Sequence, residues 1–545
     1  MNKKKKLSLS VVAIMLTILI CLGITYALWM RTYEQSEDNL VGTGCFDVSF
    51  SDGDSINLVD AYPITDAEGL DLEPYSFKLE NICSITASYM VKVEITSDST
   101  LPENHIKIAI DNQTSMISDL DTGISTLTKA GVTIKATYIL YTGVLYAGEE
   151  VTHDVREWLD ENAPELETSN KFLKSYITIE ATTSDLVKPP VTVVKVEAGY
   201  NWSLALLSNG TVVGWGYNFN GVLGYDGNVA TPDPILVQTI TGAVDISAGA
   251  GHNLILKEDG TVWSMGWNND GQLGDGTKTN STVPVQATGI SGAKIIRATV
   301  RSHTILEDGS LWFWGKGCLG DGQIANTVIV PTQILSLNNV IHIANGTSTT
   351  QALLEGGTVW AWGQSSSQMI GDGSNNVDRL SPVQLTALSN IKKVEVGATN
   401  GVALTNAGAI WTWGGNSDGG LGMGSAFLNR STPMLMTTLS GVADIVVNEA
   451  SHFALALKND KTLWGWGSNT RGQMGHNNNT TQYTPIQIGG LNNIVQFDAG
   501  MAHGIALKED GTVWTWGGND YGQLGDGTTN NNATPTQVDL SAFID

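Results

Sequence analysis

Glycines crowd the stretch WTWGGNDYGQLGDGT, Trp514 to Thr528, closely enough to suggest a backbone loop that cradles phosphate. Such a loop needs a strand before it, a helix start after it and a Gly-Lys-Ser/Thr ending. Neither a helix start nor a Gly-Lys-Ser/Thr ending is read here, and the stretch recurs in recognisable form along the chain. A loop built for one ligand is rarely copied. The glycines are therefore expected to supply positive backbone angles, with Asp and Asn side chains capping turns and the Leu of each Leu-Gly pair tucked between units. Four histidines invite an acid–base reading: His252 and His503 hold the same place in two copies, with His303 and His452 nearby. Other copies carry Trp202, Thr349 or Asn400 at about that place. A catalytic group need occur only once, so repetition points to a structural hydrogen-bonding role. No Ser/His/Asp or paired-carboxylate set stands out from the repeats, and no catalytic residue or cofactor is expected.

Metal chemistry finds equally little support. The loops NNDGQLGDGT and, at Ser51, SDGDS are rich in Asp and Asn but lack the fixed alternation and closing acid of a calcium loop. His105 and His153 stand apart in the front of the chain, without an H-E-x-x-H or Cys/His spacing, and each reads as a lone surface histidine. No metal is expected.

The elements that carry these residues repeat from Val193 onward. Trp-x-Trp-Gly or a close variant ends at Gly216, Gly266, Gly315, Gly363, Gly414, Gly467 and Gly517, at spacings of 48 to 53 residues. A Leu-Gly-like pair follows each, then a proline: Pro234, Pro284, Pro331, Pro382, Pro433, Pro485 and Pro535. Within a unit, GAVDISAG, HNLILKEDG, TVWSMGWN and the region around TVPVQA read as four strands, with Asp259-Gly260 as a hairpin signal between the second and third. Seven such units indicate an all-β, seven-bladed β-propeller over residues 193–545. Ring closure would protect the edge strands. Which strand makes the join is not legible.

Residues 40–186 read as a β-sandwich, since CFDVSF, YSFKLEN, ASYMVKVEIT, HIKIAI, VTIKATYILYT and SYITIEAT alternate apolar and polar positions. VREWLDENA has a helical pattern, and residues 187–192, with two prolines, form a linker. Residues 1–27 combine MNKKKK with a long apolar run ending TYA, the layout of a signal peptide or, if uncleaved, a membrane anchor. The body of the chain is thus expected outside the cytoplasm, at the cell surface or extracellular. In such a compartment Cys45 and Cys83 can pair as a disulfide, with two buried thiols as the alternative. A formal net charge of -25 argues against nucleic acid as a partner, and any membrane contact is assigned to the N-terminal segment.

Two resemblances add to this reading. The front part, through NLVGTGCFDVSF and PYSFKLENICSITASYMVKVEI, resembles the exported camelysin/TasA-type proteins of Gram-positive bacteria. That resemblance implies a β-sandwich of the cell surface or biofilm matrix; the metalloprotease label borne by some members lacks its zinc spacing here. AGAGHNLILKEDGTVWSMGWNNDGQLGDGT and AGMAHGIALKEDGTVWTWGGNDYGQLGDGT resemble the repeats of the regulator of chromosome condensation family. Membership implies a seven-bladed propeller and, in the founding protein, guanine-nucleotide exchange through a projecting wedge and a basic tail. Neither a long insertion nor a basic tail is present, so exchange activity is not expected to carry over. The alternatives to a binding scaffold are such an exchange factor or a camelysin-type extracellular metalloprotease.

Departures from the repeat are what the fold does not dictate. Tyr217, Phe219 and Tyr225 cluster in the first unit, Trp267 lies in the second, Phe427 and Arg430 in the fifth and Arg471 in the sixth. Aromatic and arginine side chains anchor protein contacts, which makes these the candidate partner-binding residues. The partner expected is a protein or a surface polymer.

Overall fold

The structure is a computed structural model. It describes residues 46–50, 66–72, 75–81, 86–97, 99–100, 103–111, 113–120, 127–129, 132–160, 162–163, 175–184, and 188–544 except 238–239, 425–427 and 449–451. The leader at 1–27, the cysteines Cys45 and Cys83, and Phe427 lie outside the described residues. The chain divides into two compact units between Pro189 and Pro190.

Nine strands occupy the described part of the first unit: β1 (Phe46–Phe50), β2 (Tyr75–Asn81), β3 (Thr86–Thr96), β4 (Ile106–Ile110), β5 (Gln113–Met116), β6 (Leu127–Lys129), β7 (Val132–Leu145), β8 (Glu150–Leu159) and β9 (Ser175–Ser184). They form two sheets, in the orders β1-β2-β8-β4-β5 and β6-β7-β3-β9. Alternation places Phe77, Leu79, Ile106 and Ile108 of the first sheet, and Val91, Val93 and Ile95 of the second, in one shared core. The helical reading of VREWLDENA is corrected here, because Val155 to Leu159 are the end of β8. β8 is hydrogen-bonded to β2 on one side and β4 on the other, and Val155 and Trp158 are buried. Pairing on both edges outweighs a local periodicity.

His153 corrects a second expectation. It is buried in β8, not on the surface. Its Nε2 meets the Tyr89 hydroxyl at 2.8 Å and its Nδ1 lies 2.6 Å from Asp111 Oδ2. Asp111 adopts a left-handed φ of 47°, which turns its carboxylate toward both the imidazole and the Asp154 N–H. Burial, the largest cause, pushes the Tyr89 hydroxyl above its usual range, so Tyr89 stays protonated. His153→Phe keeps a ring in the core but leaves Tyr89 and Asp111 without this partner. The expected cost is about 1–3 kcal/mol, read as a lower denaturant midpoint for the first unit with the second unit's transition unchanged.

The second unit contains, among the described residues, seven four-stranded antiparallel sheets, each built from four consecutive strands. The first is β10 (Val193–Ala198), β11 (Trp202–Leu207), β12 (Val212–Tyr217) and β13 (Ala230–Leu236). β11 is buried along its whole length, whereas β13 is half-exposed, so β13 lies toward the outside. Asp259 shows how the hairpins between second and third strands form. Its Oδ1 accepts from the Thr261 N–H at 2.9 Å and the Thr261 hydroxyl at 2.6 Å, while Gly260 takes a φ of 74°. Every pair of successive sheets shares an apolar core, and Val196, Val213 and Trp215 of the first sheet share one with Ile505, Leu507 and Val513 of the last. This is a β-propeller arrangement. Among the described residues no strand is exchanged between sheets at the closing joint; side-chain packing and loop docking make the join.

Candidate binding face

The glycine-rich loops present acceptors where a phosphate cradle would present donors. The indole N–H of Trp215 donates to the Gln523 carbonyl at 3.0 Å, from the first sheet to the loop of the last. Trp314, Trp413, Trp466 and Trp516 donate in the same way to Gln272, Met369, Gly420 and Gln473 of the preceding unit. A side chain at Gly525 would begin 2.8 Å from the Trp215 Nε1, so only glycine admits the indole there. A buried asparagine organises the loops of five units, whereas Ser365 stands at that place in the fourth. Asn519 Oδ1 accepts from the Leu524 N–H at 2.9 Å while its Nδ2 donates to Asp526 and Thr528, and Asn268 does the same for Leu273 and Asp275. Leu524 is buried, as turn-forming glycines and a tucked Leu require. The loop is the socket for its neighbour's tryptophan.

The repeat histidines separate into two kinds. His252 Nε2 meets Ser302 Oγ at 2.7 Å and His503 Nε2 meets Ser203 Oγ at 3.1 Å, each across a joint between sheets. His303 Nδ1 lies 3.2 Å from the Asn345 side-chain amide of the next sheet. All three are buried, and burial drives them below the usual histidine range, His252 and His503 to about 3. They are neutral joints between sheets. His452 differs, being part-exposed, 3.5 Å from Asp418 and on the wall of a cleft that Ser468 also lines. No hydrogen bond joins the Ser468 hydroxyl to that ring, so these three residues lack the nucleophile–base contact of a relay.

Beside this cleft lies a run of aromatic side chains. Tyr217 ends β12, with its N–H bonded to the Asn201 carbonyl, and Phe219 follows it in the loop. Trp267 occupies the same place after the third strand of the second sheet, and Tyr521 comes from the loop of the last sheet. Ring centroids are 4.6 Å apart for Tyr521–Tyr217, 6.0 Å for Tyr217–Phe219 and 6.3 Å for Phe219–Trp267. The run therefore crosses the last, first and second sheets. Tyr521 is 39% exposed and Met501, in the neighbouring loop, 46%. The cleft holds about 360 Å³ between Asn201, His452, Arg471, Met501, Asp520 and Tyr521. Arg471 pairs with Asp520 at its rim, an exposed pair that fixes geometry more than it stabilises.

Of the residues singled out in the sequence, the structure thus brings Tyr217, Phe219 and Trp267 together and sets Arg471 on the cleft that Tyr521, at the end of their run, lines. Tyr225 turns back into its own loop: its hydroxyl donates to the Val229 carbonyl at 2.7 Å, and it packs on the core between the first two sheets. Arg430 begins the fourth strand of the fifth sheet, opposite Gly414. Tyr521 and Met501 were missed. The signal for Tyr521 was present, because its place holds Asn220, Asp270, Asp418 and Arg471 in other copies.

Comparison with known proteins follows the repeat. The model described as "Regulator of chromosome condensation (RCC1) repeat" matches residues 209–256, 259–304, 356–404, 407–453, 460–507 and 510–544, and a second model of that description matches 193–222, 243–272 and 494–523. The chain belongs to the RCC1 repeat family. Over 334 residues it is 29% identical to the ultraviolet-B receptor UVR8 of Arabidopsis thaliana, covering 58% of this chain and 75% of that protein. It is 32% identical over 143 residues to the probable E3 ubiquitin-protein ligase HERC6 of Homo sapiens, covering 25% of this chain and 14% of HERC6. The match therefore spans a small fraction of the ligase. The solved structure of Prp20p from Saccharomyces cerevisiae superposes with a TM-score of 0.53 at 20% identity, covering 65% of this chain and 88% of that one, a likeness of fold.

Proposed function

We propose that this RCC1-repeat chain is an exported bacterial cell-surface or matrix protein. Its seven-bladed β-propeller is a non-catalytic binding scaffold for a protein or surface polymer, and its front β-sandwich attaches or assembles. The observation that carries the binding role is the aromatic run of Tyr521, Tyr217, Phe219 and Trp267 beside a polar cleft. Tyrosine, tryptophan and arginine are the side chains that anchor protein contacts, and here they depart from what the repeat requires. A protein is the favoured partner of the two. Tyr521 and Tyr217 are inclined by only 32° at 4.6 Å, so they partly cover each other's faces, whereas stacking on a sugar ring uses an open face. Prp20p, which shares the fold, is described by its binding to Gsp1p and histones and has been solved bound to Kap60. Support for export is the lysine-led apolar run of residues 1–27.

Protease shaving of intact host cells, with N-terminal sequencing of the protein, tests the location. A shaving-sensitive chain starting at Leu28, or an intact one starting at Met1, fits the proposal as a released or a tethered form. A protected cytosolic chain contradicts it. For the binding face, Tyr217→Ala combined with Tyr521→Ala is expected to weaken partner capture at least tenfold, about 1.4 kcal/mol. The thermal midpoint should stay within a few degrees of the parent, because Tyr521 is substantially exposed.

A further inference from the structure

The innermost strands surround a small central cavity. Glu197, Ser247, Arg297, Asn448 and Asp498 all line it, and they come from the first, second, third, sixth and seventh sheets. Side chains on these strands bond across several joints between sheets, Glu197 Oε2 accepting from the Ala248 N–H at 3.4 Å at the first. Ser247 Oγ accepts from the Ala298 N–H at 3.0 Å, joining the second sheet to the third. At the closing joint, Gln496 Oε1 accepts from the Val196 N–H and Asp498 Oδ2 from the Ala198 N–H, both at 2.8 Å. Thus the stitch from Asp498, at the one joint where chain connectivity does not hold neighbouring sheets together, is made by an acid.

The surrounding charges do not balance. The innermost strands carry Lys195 and Glu197 of the first sheet, Asp245 of the second, Arg297 of the third, Lys393 and Glu395 of the fifth, Asp444 of the sixth and Asp498 of the last, with His342 of the fourth neutral; Glu197, Arg297 and Asp498 line the cavity itself. Lys195 lies 3.0 Å from Glu197 and 2.5 Å from Asp245. Arg297 lies 2.7 Å from Glu395, and Lys393 reaches Glu395 at 3.4 Å and Asp444 at 2.9 Å. Three cations are thus shared among four carboxylates before Asp498 is counted. Asp498 faces Glu197 across the joint with its own oxygen already committed to a neutral N–H.

We propose that Asp498 and Glu197 form a proton-gated latch on ring closure, in which a proton retained by Asp498 seals the last sheet against the first and its release to solvent loosens that joint alone. Burial first, then the Glu197 charge, push the Asp498 carboxyl up to about 8, against the Ala198 and Ala499 N–H groups and Arg297. An unfolded Asp titrates near about 3.9, so the folded chain retains a proton that the unfolded chain has lost. Stability from this group is complete below that value, declines as pH rises, and is spent once pH passes about 8. The second-to-third joint carries a serine in the equivalent stitch and has no such proton to lose.

The test is hydrogen exchange of the full chain between pH 6 and pH 9.5, corrected for intrinsic exchange, comparing peptides containing Val196 and Ala198 with those containing Ala298. The closing-joint peptides should lose about tenfold more protection than the Ala298 peptides, the change that one pKa unit represents. Asp498→Asn retains the acceptor and supplies a donor toward Glu197, so it should abolish the pH dependence. Glu197→Gln removes the like charge and should move the transition to lower pH, which decides the matter if the first variant does not fold. Equal loss at both joints, or an unchanged transition in either variant, overturns the latch.

Discussion

Trp215→Ala is expected to destabilise the propeller by about 3–5 kcal/mol, whereas Trp514→Ala should cost roughly half as much. Trp215 ends the variant Val-Gly-Trp-Gly of the first unit, and Trp514 opens the Trp-Thr-Trp-Gly of the last. In the structure they do different work. Trp215 is wholly buried in the core between the last and first sheets, and its N–H satisfies the Gln523 carbonyl. Removing it leaves a cavity and takes from the Gln523 carbonyl one of its two donors, the Ser203 hydroxyl being the other. Trp514 is half-buried, bonds the Thr512 hydroxyl of its own hairpin, and has Lys508 Nζ 5.4 Å from its ring centroid. Denaturant midpoints at constant slope measure the difference. Equal losses would mean that the loop socket is not what joins neighbouring sheets.

Acidification should unfold the propeller well before its carboxylates are neutralised. His252, His342 and His503 are pushed down to about 3, and His303 well below its usual range. Burial is the largest cause in each, with Arg301 adding to it for His303 and Lys393 and Arg297 for His342. The unfolded chain protonates these rings near about pH 6.5 while the folded chain does not. Below that pH the unfolded state therefore binds more protons and stability falls, at about 1.4 kcal/mol per histidine per pH unit. Four together give a slope on the order of 5 kcal/mol per unit, far above the opposing single proton of Asp498. Since the Asp498 contribution falls as pH rises to about 8, maximal stability is expected near about pH 6.5. A thermal midpoint that stays level from pH 7 to pH 5 would contradict this, and His252→Gln should remove one histidine's share of the slope.

The repeat was legible because its markers are side chains at fixed spacing: the tryptophans, the Leu-Gly pair and the proline. Their partners were not, because Gln523 and Gln272 act through backbone carbonyls, which leave no trace in residue type. Histidine repetition pointed to a structural hydrogen-bonding role for His252 and His503, and each bonds a serine across a joint between sheets. It grouped His452 with them, although that ring faces the cleft. In the first unit, VREWLDENA misled because strand pairing on two edges decides its conformation. His153 was misjudged because its partners, Tyr89 and Asp111, are remote in sequence. Three of the aromatic departures converged as one run, yet Tyr521 was passed over inside the very stretch that defined the repeat.

Site-specific photo-cross-linking in the native host tests the central claim most directly. A photoreactive amino acid would replace Tyr217 or Trp267 on the aromatic run, or Val283 on the exposed outer strand of the second sheet, each in the full chain. The account predicts one discrete protein adduct from positions 217 and 267 and none from 283. Adducts of equal yield from all three positions, or none from the aromatic run, would contradict it.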